Sequence, residues 1–201
     1  MTRLLVATGN AGKLRELSAL LEGIELVGLR DAGALELPEP GRDYATNAAC
    51  KALEASRATG EVALADDSGL EVDSLGGGPG WRSARYGGEH GDDAANRARL
   101  LEAMVDVPDL ARTARFRCVV ALADAKGALG SRVLLAFGAC VGSIARAPRG
   151  SAGFGYDPLV LLDGTDRTMA ELDEAVKNTV SHRARAVAAL GPTLRAYLGR
   201  R

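Results

Sequence analysis

The sequence predicts an α/β fold, a long mixed β-sheet flanked by helices. Three observations carry that prediction. Short apolar runs of strand length alternate with amphipathic stretches of helical period. The junctions between them are rich in Gly, Asn, Asp and Pro, which punctuate secondary structure. Two long β patterns, Thr113 to Ala123 and Ser131 to Val141, flank a turn from Asp124 to Gly130 and read as a hairpin. No repeat, low-complexity tract or linker interrupts the 201 residues, so one domain over 1–201 is expected.

The elements follow in order. Leu4 to Ala7 reads as a short buried strand, broken by Thr8-Gly9-Asn10. Asn10 can cap a helix from Ala11 to Glu22, with Leu14, Leu17, Leu20 and Leu21 on one side and Gly23 as the stop. Ile24 to Leu29 is a second strand. After the loop Leu37-Pro38-Glu39-Pro40-Gly41, Asp43 can cap a helix from Tyr44 to Thr59, ended by Gly60. Val62 to Ala65 is a strand that ends at Asp66-Asp67-Ser68-Gly69, with a further strand from Leu70 to Val72. Gly76 to Gly80 is irregular, and a helix runs from Asp93 to Val105. Beyond the hairpin come a glycine-rich loop, Gly150 to Asp157, and a strand from Pro158 to Leu162. Thr168 to Glu171 fits a capping box. Ser181 can cap a last helix that Gly191-Pro192 should bend or divide.

Composition narrows the function. With 47% hydrophobic and 25% charged residues the chain is an ordinary globule rather than a disordered one. No apolar run approaches the roughly 18 residues of a membrane span. The opening Met1 to Ala7 is too short for a signal-peptide core, so a cytoplasmic protein without membrane contact is expected. A net charge of −1 argues against a nucleic-acid partner. Cys50, Cys118 and Cys140 are widely spaced, lack any Cys-x-x-Cys pattern, and read as buried free thiols of a reducing compartment. Lys occurs only at 13, 51, 126 and 177, against 21 Arg, so a retained Lys hints that its compact ammonium matters.

Three loops can carry chemistry. Thr8-Gly9-Asn10-Ala11-Gly12-Lys13 follows a strand and opens a helix, where unpaired N–H groups and the helix dipole favour an anion. It is not a Walker A loop, because Ala7 and Leu14 stand where Gly and Ser or Thr belong, and it reads equally as an ordinary strand-to-helix turn. Asp66 and Asp67 repel unless a cation compensates, and strand alternation sends them to opposite faces, so one faces a site and the other supports structure. Hard carboxylate oxygens beside a phosphate loop suggest Mg²⁺; a solvated turn is the alternative. The third loop, Gly153-Phe154-Gly155-Tyr156-Asp157-Pro158, sets aromatics between glycines and can present a ring to a flat ligand, with Lys177, His182 and Arg183 downstream. His90 reads as solvated, while Trp81 and Arg82 could line a groove or cover core.

Taken together and in this order, Thr-Gly-Asn-x-x-Lys, Asp-Asp-Ser-Gly-Leu, Gly-Gly-x-Pro-Gly-x-x-Ser-Ala-Arg-Tyr, Gly-Phe-Gly-Tyr-Asp-Pro and Ser-His-Arg resemble the inosine triphosphate pyrophosphatase family. The likeness runs from about residue 4 to about residue 190. It implies two lobes flanking a central nucleotide-binding cleft, a homodimer, and Mg²⁺-dependent hydrolysis of ITP, dITP or XTP to the monophosphate and pyrophosphate. By position it implies phosphate contacts at Thr8, Gly9, Asn10, Ala11, Gly12 and Lys13, with Lys13 and Asp67 catalytic. It implies metal ligands at Glu39 and Asp67, and substrate contacts at Lys51, Ser68, Phe154, Gly155, Tyr156, Asp157, Lys177, His182 and Arg183.

Three departures stand out. Thr46 replaces a Glu, which shifts the expected metal ligation toward Glu39. Arg82 replaces an aromatic or small residue. Ala175-Val176 replaces an acidic pair, which should leave Lys177 less paired. Two other readings keep the motifs: a pyrophosphatase for another modified base, and a nucleotide-binding module without turnover.

Overall fold

The structure, a computed structural model, describes residues 3–29, 32, 33, 35 and 37–199. Met1 and Thr2, part of the opening segment read above, lie outside them. Six strands form one sheet: β1 (Arg3–Val6), β2 (Glu25–Gly28), β3 (Val62–Val72), β4 (Thr113–Ala123), β5 (Val133–Ile144) and β6 (Val160–Leu162). Their order is β2-β1-β3-β4-β5-β6. β1 runs parallel to β2 and β3, and β5 runs antiparallel to β6, so the sheet is mixed as the sequence predicts. Five α-helices accompany it: α1 (Ala11–Leu20), α2 (Tyr44–Thr59), α3 (Asp93–Ala103), α4 (Glu174–Val180) and α5 (His182–Leu198).

Local chemistry explains the boundaries. The Asn10 side chain caps α1 by accepting from the Lys13 N–H at 3.0 Å. Asp43 caps α2 by accepting from the Thr46 N–H at 2.8 Å, and left-handed Gly60 closes that helix. The capping box at Thr168 is present, on a single 3₁₀ turn: the Glu171 carboxylate accepts from the Thr168 N–H at 2.8 Å. β5 starts at Val133 rather than Ser131, because the Arg132 N–H is taken by the Leu129 carbonyl at 3.0 Å in the turn. Residues 157–159 form a 3₁₀ turn, so β6 is shorter than Pro158 to Leu162.

Two larger expectations are corrected. Asp66 to Gly69 does not end a strand; β3 runs unbroken from Val62 to Val72. Turn-forming side chains stay in the strand because cations from distant parts of the chain satisfy the carboxylates. Gly191-Pro192 does not divide the last helix, which continues to Leu198. Its apolar face, Val187, Leu190 and Leu194, stays buried on both sides of the break and holds the helix together.

The described residues gather into two compact units. The first comprises those up to Asp67, Cys118–Gly138, and those from Arg183 onward. Its strands feed two cores by alternation. Leu4, Val6, Leu64, Val120 and Leu122 pack with Leu17 and Leu21 and with the apolar face of α5. Leu5, Ala63, Ala65, Val119 and Ala121 pack with Ala48, Ala52 and Ala55 of α2. The second unit comprises Ser68–Arg117 and Ala139–His182. There Leu70, Val72, Phe116, Ile144 and Val160 pack with Leu100 and Met104 of α3. Buried Arg112 ties that unit's loops by donating to the carbonyls of Met104 at 2.7 Å, Ile144 at 2.7 Å and Ala145 at 3.1 Å. Cys50, Cys118 and Cys140 are free thiols. Among the described residues no helix is long and apolar enough to cross a membrane.

Candidate functional site

β3 supplies the centre of the site in the first unit. Successive strand residues point to opposite faces, and Asp66 and Asp67 meet different helices. The Asp66 carboxylate is 0% exposed. Its Oδ2 lies 3.2 Å from Lys13 Nζ and accepts from Arg183 Nη2 at 2.9 Å and Nε at 3.2 Å. Arg183 Nη1 also donates to Glu16 on α1. Burial alone would raise the Asp66 carboxyl, but the adjacent Lys13 and Arg183 overcome it and hold it far below the usual carboxylate range. Burial would likewise lower the Arg183 guanidinium, and Asp66 raises it instead. Burial, then Asp66, pushes the neighbouring Cys118 thiol up to about 12.

Asp67 faces α2. Its Oδ1 lies 3.0 Å from Lys51 Nζ, and its Oδ2 accepts from Asn47 Nδ2 at 3.0 Å. The same Lys51 ammonium lies 3.1 Å from Glu39 Oε1, so one cation holds two carboxylates together. Burial would lower the Lys51 ammonium, yet Asp67, Asp66 and Glu39 raise it above its ordinary value. Asn47 does more than fill space. Its Oδ1 accepts from the Gly41 N–H at 2.8 Å, which ties the loop carrying Glu39 to the strand carrying Asp67. A Cβ at Gly41 would come within 2.9 Å of the Thr46 side chain, so the loop approaches α2 as only glycine allows.

The segment from Thr8 to Lys13 leads from β1 into α1, and Asn10 and Ala11 are exposed. Thr8 Oγ1 accepts from the Asn10 N–H at 3.2 Å and shapes the turn. The N–H groups of Ala11 and Gly12 fall in the first helical turn, where no intrahelical acceptor exists.

In the second unit the Gly153-to-Asp157 loop closes on itself. Asp157 Oδ2 accepts from the Phe154 N–H at 2.9 Å and lies 2.6 Å from Lys177 Nζ. Lys177 therefore has a close acidic partner despite the missing Glu pair, which corrects the expectation that it is less paired; the carboxylate comes from 20 residues upstream. The ammonium stands 5.2 Å from the Phe154 ring centroid. A Cβ on Gly153, at φ +77°, would fall 2.1 Å from Asp157 Oδ2. The Tyr156 hydroxyl donates to the Ser83 carbonyl at 2.9 Å, and burial raises this phenol above its ordinary range. His182 stacks on Phe116, with ring centroids 4.7 Å apart. Ser68 is half-buried in β3, and His90 is exposed. Trp81 carries Arg82 and Arg85 over its ring at 4.9 and 5.0 Å.

The structure thus places Thr8 to Lys13, Glu39, Lys51, Asp67 and Arg183 in the first unit, and Ser68, Phe154 to Asp157, Lys177 and His182 in the second. Sequence reasoning missed Glu16 and Asn47 as parts of the constellation. Helical spacing could have found both: Glu16 lies one turn beyond Lys13, and Asn47 one turn before Lys51.

The donor set suits a hard divalent cation. Glu39 and Asp67 already hold one positive charge between them in the Lys51 ammonium. Among the described residues no group of three or more His, Cys, Asp or Glu forms a protein cage for metal. The two carboxylates of Glu39 and Asp67 are a donor set of the kind Mg²⁺ takes, since it commonly uses one or two carboxylates and completes its shell with water and phosphate oxygens.

Known proteins share this arrangement of sequence and fold. A dITP/XTP pyrophosphatase of Desulforamulus reducens is 49% identical over 188 residues, covering 92% of each chain. One from Mycobacterium bovis is 49% identical over 201 residues, covering 97% of this chain and 96% of its own. Among solved structures, a HAM1 protein from Coxiella burnetii superposes with a TM-score of 0.86 at 38% identity, over 98% of this chain and all of that one. A nucleoside-triphosphatase, dITP/XTP pyrophosphatase, from Mycobacterium abscessus gives a TM-score of 0.75 at 48% identity, over 95% of this chain and all of that one. The Ham1 family matches residues 4–193, nearly the stretch over which the five motifs occur. With sheet, motifs and relatives in agreement, the chain belongs to the Ham1 family.

Proposed function

We propose that this protein hydrolyses deaminated purine nucleoside triphosphates, ITP, dITP and XTP, to the monophosphate and pyrophosphate, clearing them from the nucleotide pool. One observation carries the reading. Asp67 is oriented by Asn47 and Lys51, shares Lys51 with Glu39, and sits next to Asp66, which anchors Lys13 of the phosphate loop. The names of the relatives support the same substrate class.

Glu39 and Asp67 would hold Mg²⁺, which when bound neutralises triphosphate charge and polarises the reacting phosphorus. Lys13 and the N–H groups of Ala11 and Gly12 draw charge from the outer phosphates, with Thr8, Gly9 and Asn10 shaping the turn. Asp67 accepts the proton of a water and aims its oxygen at the α-phosphorus. The bond from the α-phosphorus to the bridging oxygen breaks, and pyrophosphate leaves. Lys51 keeps the two carboxylates together through this charge rearrangement. Ser68 contacts the substrate close to the reacting phosphate. Phe154 offers a ring face to the purine, with Gly155, Tyr156, Asp157 and His182 building the surrounding pocket.

Base choice follows from hydrogen-bond sign. Lys177 supplies donors only, and an oxygen at purine position 6 can accept from its ammonium where the adenine amino group, itself a donor, cannot; Arg183, held by Asp66 and Glu16, acts on the substrate through Asp66. A mismatch of this kind rejects the wrong base by about 10⁴-fold. Guanine shares that oxygen, so these donors alone do not reject it.

Two features support a cytoplasmic homodimer. The free thiols suit a reducing compartment. Leu135, Phe137 and Val141 alternate along β5 and are 38%, 62% and 53% exposed, an apolar strip suited to a second copy.

The test is ³¹P NMR of the protein with Mg²⁺ and, separately, dITP, XTP, dGTP and dATP. Monophosphate and pyrophosphate from dITP and XTP, with dATP nearly untouched, is the expected result. Orthophosphate, or equal turnover of all four, would overturn the reading. Turnover of a different modified base alone would keep the reaction and replace the substrate.

A further inference from the structure

We propose that Asp93 and Arg97 of α3 are positioning residues that clamp the peptides on both sides of Gly155 and thereby set the affinity of the Phe154 loop for the nucleoside. The inference rests on the reading of that loop as the nucleoside end of the site.

The two side chains lie four residues apart on α3, so they project from one face. Asp93 Oδ2 accepts from the Gly155 N–H at 2.6 Å. Arg97 Nη1 donates to the Gly155 carbonyl at 2.7 Å. Each bond has one charged member, and such bonds are short and roughly twice as strong as neutral ones. The signs suit the groups: a carboxylate meets the N–H, and a guanidinium meets the carbonyl. Both side chains are half-buried, so water competes less for these bonds than at an open surface.

The N–H and carbonyl of one residue belong to two different peptide planes. Fixing both therefore fixes the backbone torsions of Gly155 from either side. Gly155 is the place where this matters, because it sits at φ +60° and has no side chain to hold it. Its neighbours are held by other means. The Phe154 N–H is bonded to Asp157, and the Tyr156 hydroxyl to the Ser83 carbonyl. Without the clamp, Gly155 would be a swivel between an anchored Tyr156 and the Phe154 ring. The same helix also steadies the segment from Ala84 to Gly87: Asn96 accepts from the Gly87 N–H at 2.7 Å and donates to the Ala84 carbonyl at 3.3 Å. α3 thus acts as a rigid rail, and a loop held in its binding conformation loses less entropy when ligand arrives.

The experiment uses the full chain, ¹⁵N-labelled, as wild type, Asp93→Asn, Arg97→Leu, Arg97→Lys and Phe154→Ala. Amide exchange at Gly155 and steady-state hydrolysis of dITP are measured on each. Asp93→Asn and Arg97→Leu should speed Gly155 exchange and raise KM for dITP about tenfold, the loss expected for one charge-assisted bond, with kcat within about twofold of wild type. Arg97→Lys, which keeps a charged donor, should recover most of the KM. Phe154→Ala tests the underlying reading and should raise KM strongly. A loosened Gly155 with unchanged KM, while Phe154→Ala does raise KM, overturns the clamp and leaves the reading standing. Unchanged Gly155 exchange, or a loss confined to kcat, also overturns it. If Phe154→Ala leaves KM unchanged, the loop is not the nucleoside end and the inference falls with that reading.

Discussion

Asp66 and Asp67 are adjacent, chemically identical and on one strand, yet the fold gives them opposite surroundings. Asp66 has no exposed side-chain surface and is enclosed by Lys13 and Arg183, while Asp67 is 11% exposed and is held by Lys51 and Asn47. A carboxylate buried against two cations is locked as an ion and can exchange a proton only at great cost. A carboxylate that keeps an edge to solvent, with one cation and one amide as partners, can still meet water and metal. Alternation along a strand is enough to give a repeated residue two environments, one suited to a structural acid and the other to the proposed chemical one.

Breaking Asp66 should have the largest effect, and it should fall on folding. Asp66→Asn removes the buried carboxylate that Lys13 and Arg183 share, leaving Arg183 only Glu16, and should cost about 3–5 kcal/mol, read as a lower midpoint in urea unfolding. Breaking Asp67 should fall on chemistry instead. Asp67→Asn should lower kcat for dITP by on the order of 10²-fold or more, with the unfolding midpoint close to wild type. If Asp66→Asn leaves stability unchanged, or Asp67→Asn hydrolyses dITP at a near-normal rate, the division of labour is wrong.

Asn47 sharpens the comparison, because it touches only the Asp67 side. Removing its amide loosens the Glu39 loop and leaves Lys51 to link it to Asp67, so Asn47→Leu should raise the Mg²⁺ concentration for half-maximal activity about tenfold. Direct Mn²⁺ binding, followed by electron paramagnetic resonance, should weaken in parallel. The smallest effect lies on the Asp66 side. The folded Cys118 thiol sits at about 12, above the roughly 8.5 of an unfolded cysteine. Its contribution to stability is therefore intact below pH about 8.5 and is lost as pH rises toward the folded value. Cys118→Ala should flatten that alkaline decline without moving the acid side of the stability profile.

Much of this was legible in the chain. α2 was readable end to end because its signals are local: Asp43 caps it and Gly60 stops it. The opposite facing of Asp66 and Asp67 followed from strand period alone. What could not be read depends on partners far away in sequence. β3 continues through Asp-Asp-Ser-Gly because residues 13, 51 and 183 bring cations to it, and no local window contains them. Lys177 looked poorly paired because its acid, Asp157, lies in the loop before β6 rather than on the same helix. α5 survives Gly191-Pro192 because tertiary burial of Leu190 and Leu194 outweighs a single missing N–H. The clamp on Gly155 was out of reach for the same reason, since the α3 side chains precede their target by about 60 residues.

In the proposed reaction Asp67 delivers water to the α-phosphorus. Hydrolysis of dITP in H₂¹⁸O, with both products weighed by mass spectrometry, tests it most directly. The expected result is one ¹⁸O in each nucleoside monophosphate and none in the pyrophosphate, with Asp67→Asn forming the same labelled product at a rate lowered in step with kcat. Label in the pyrophosphate would mean that water attacks a different phosphorus and would contradict the assignment.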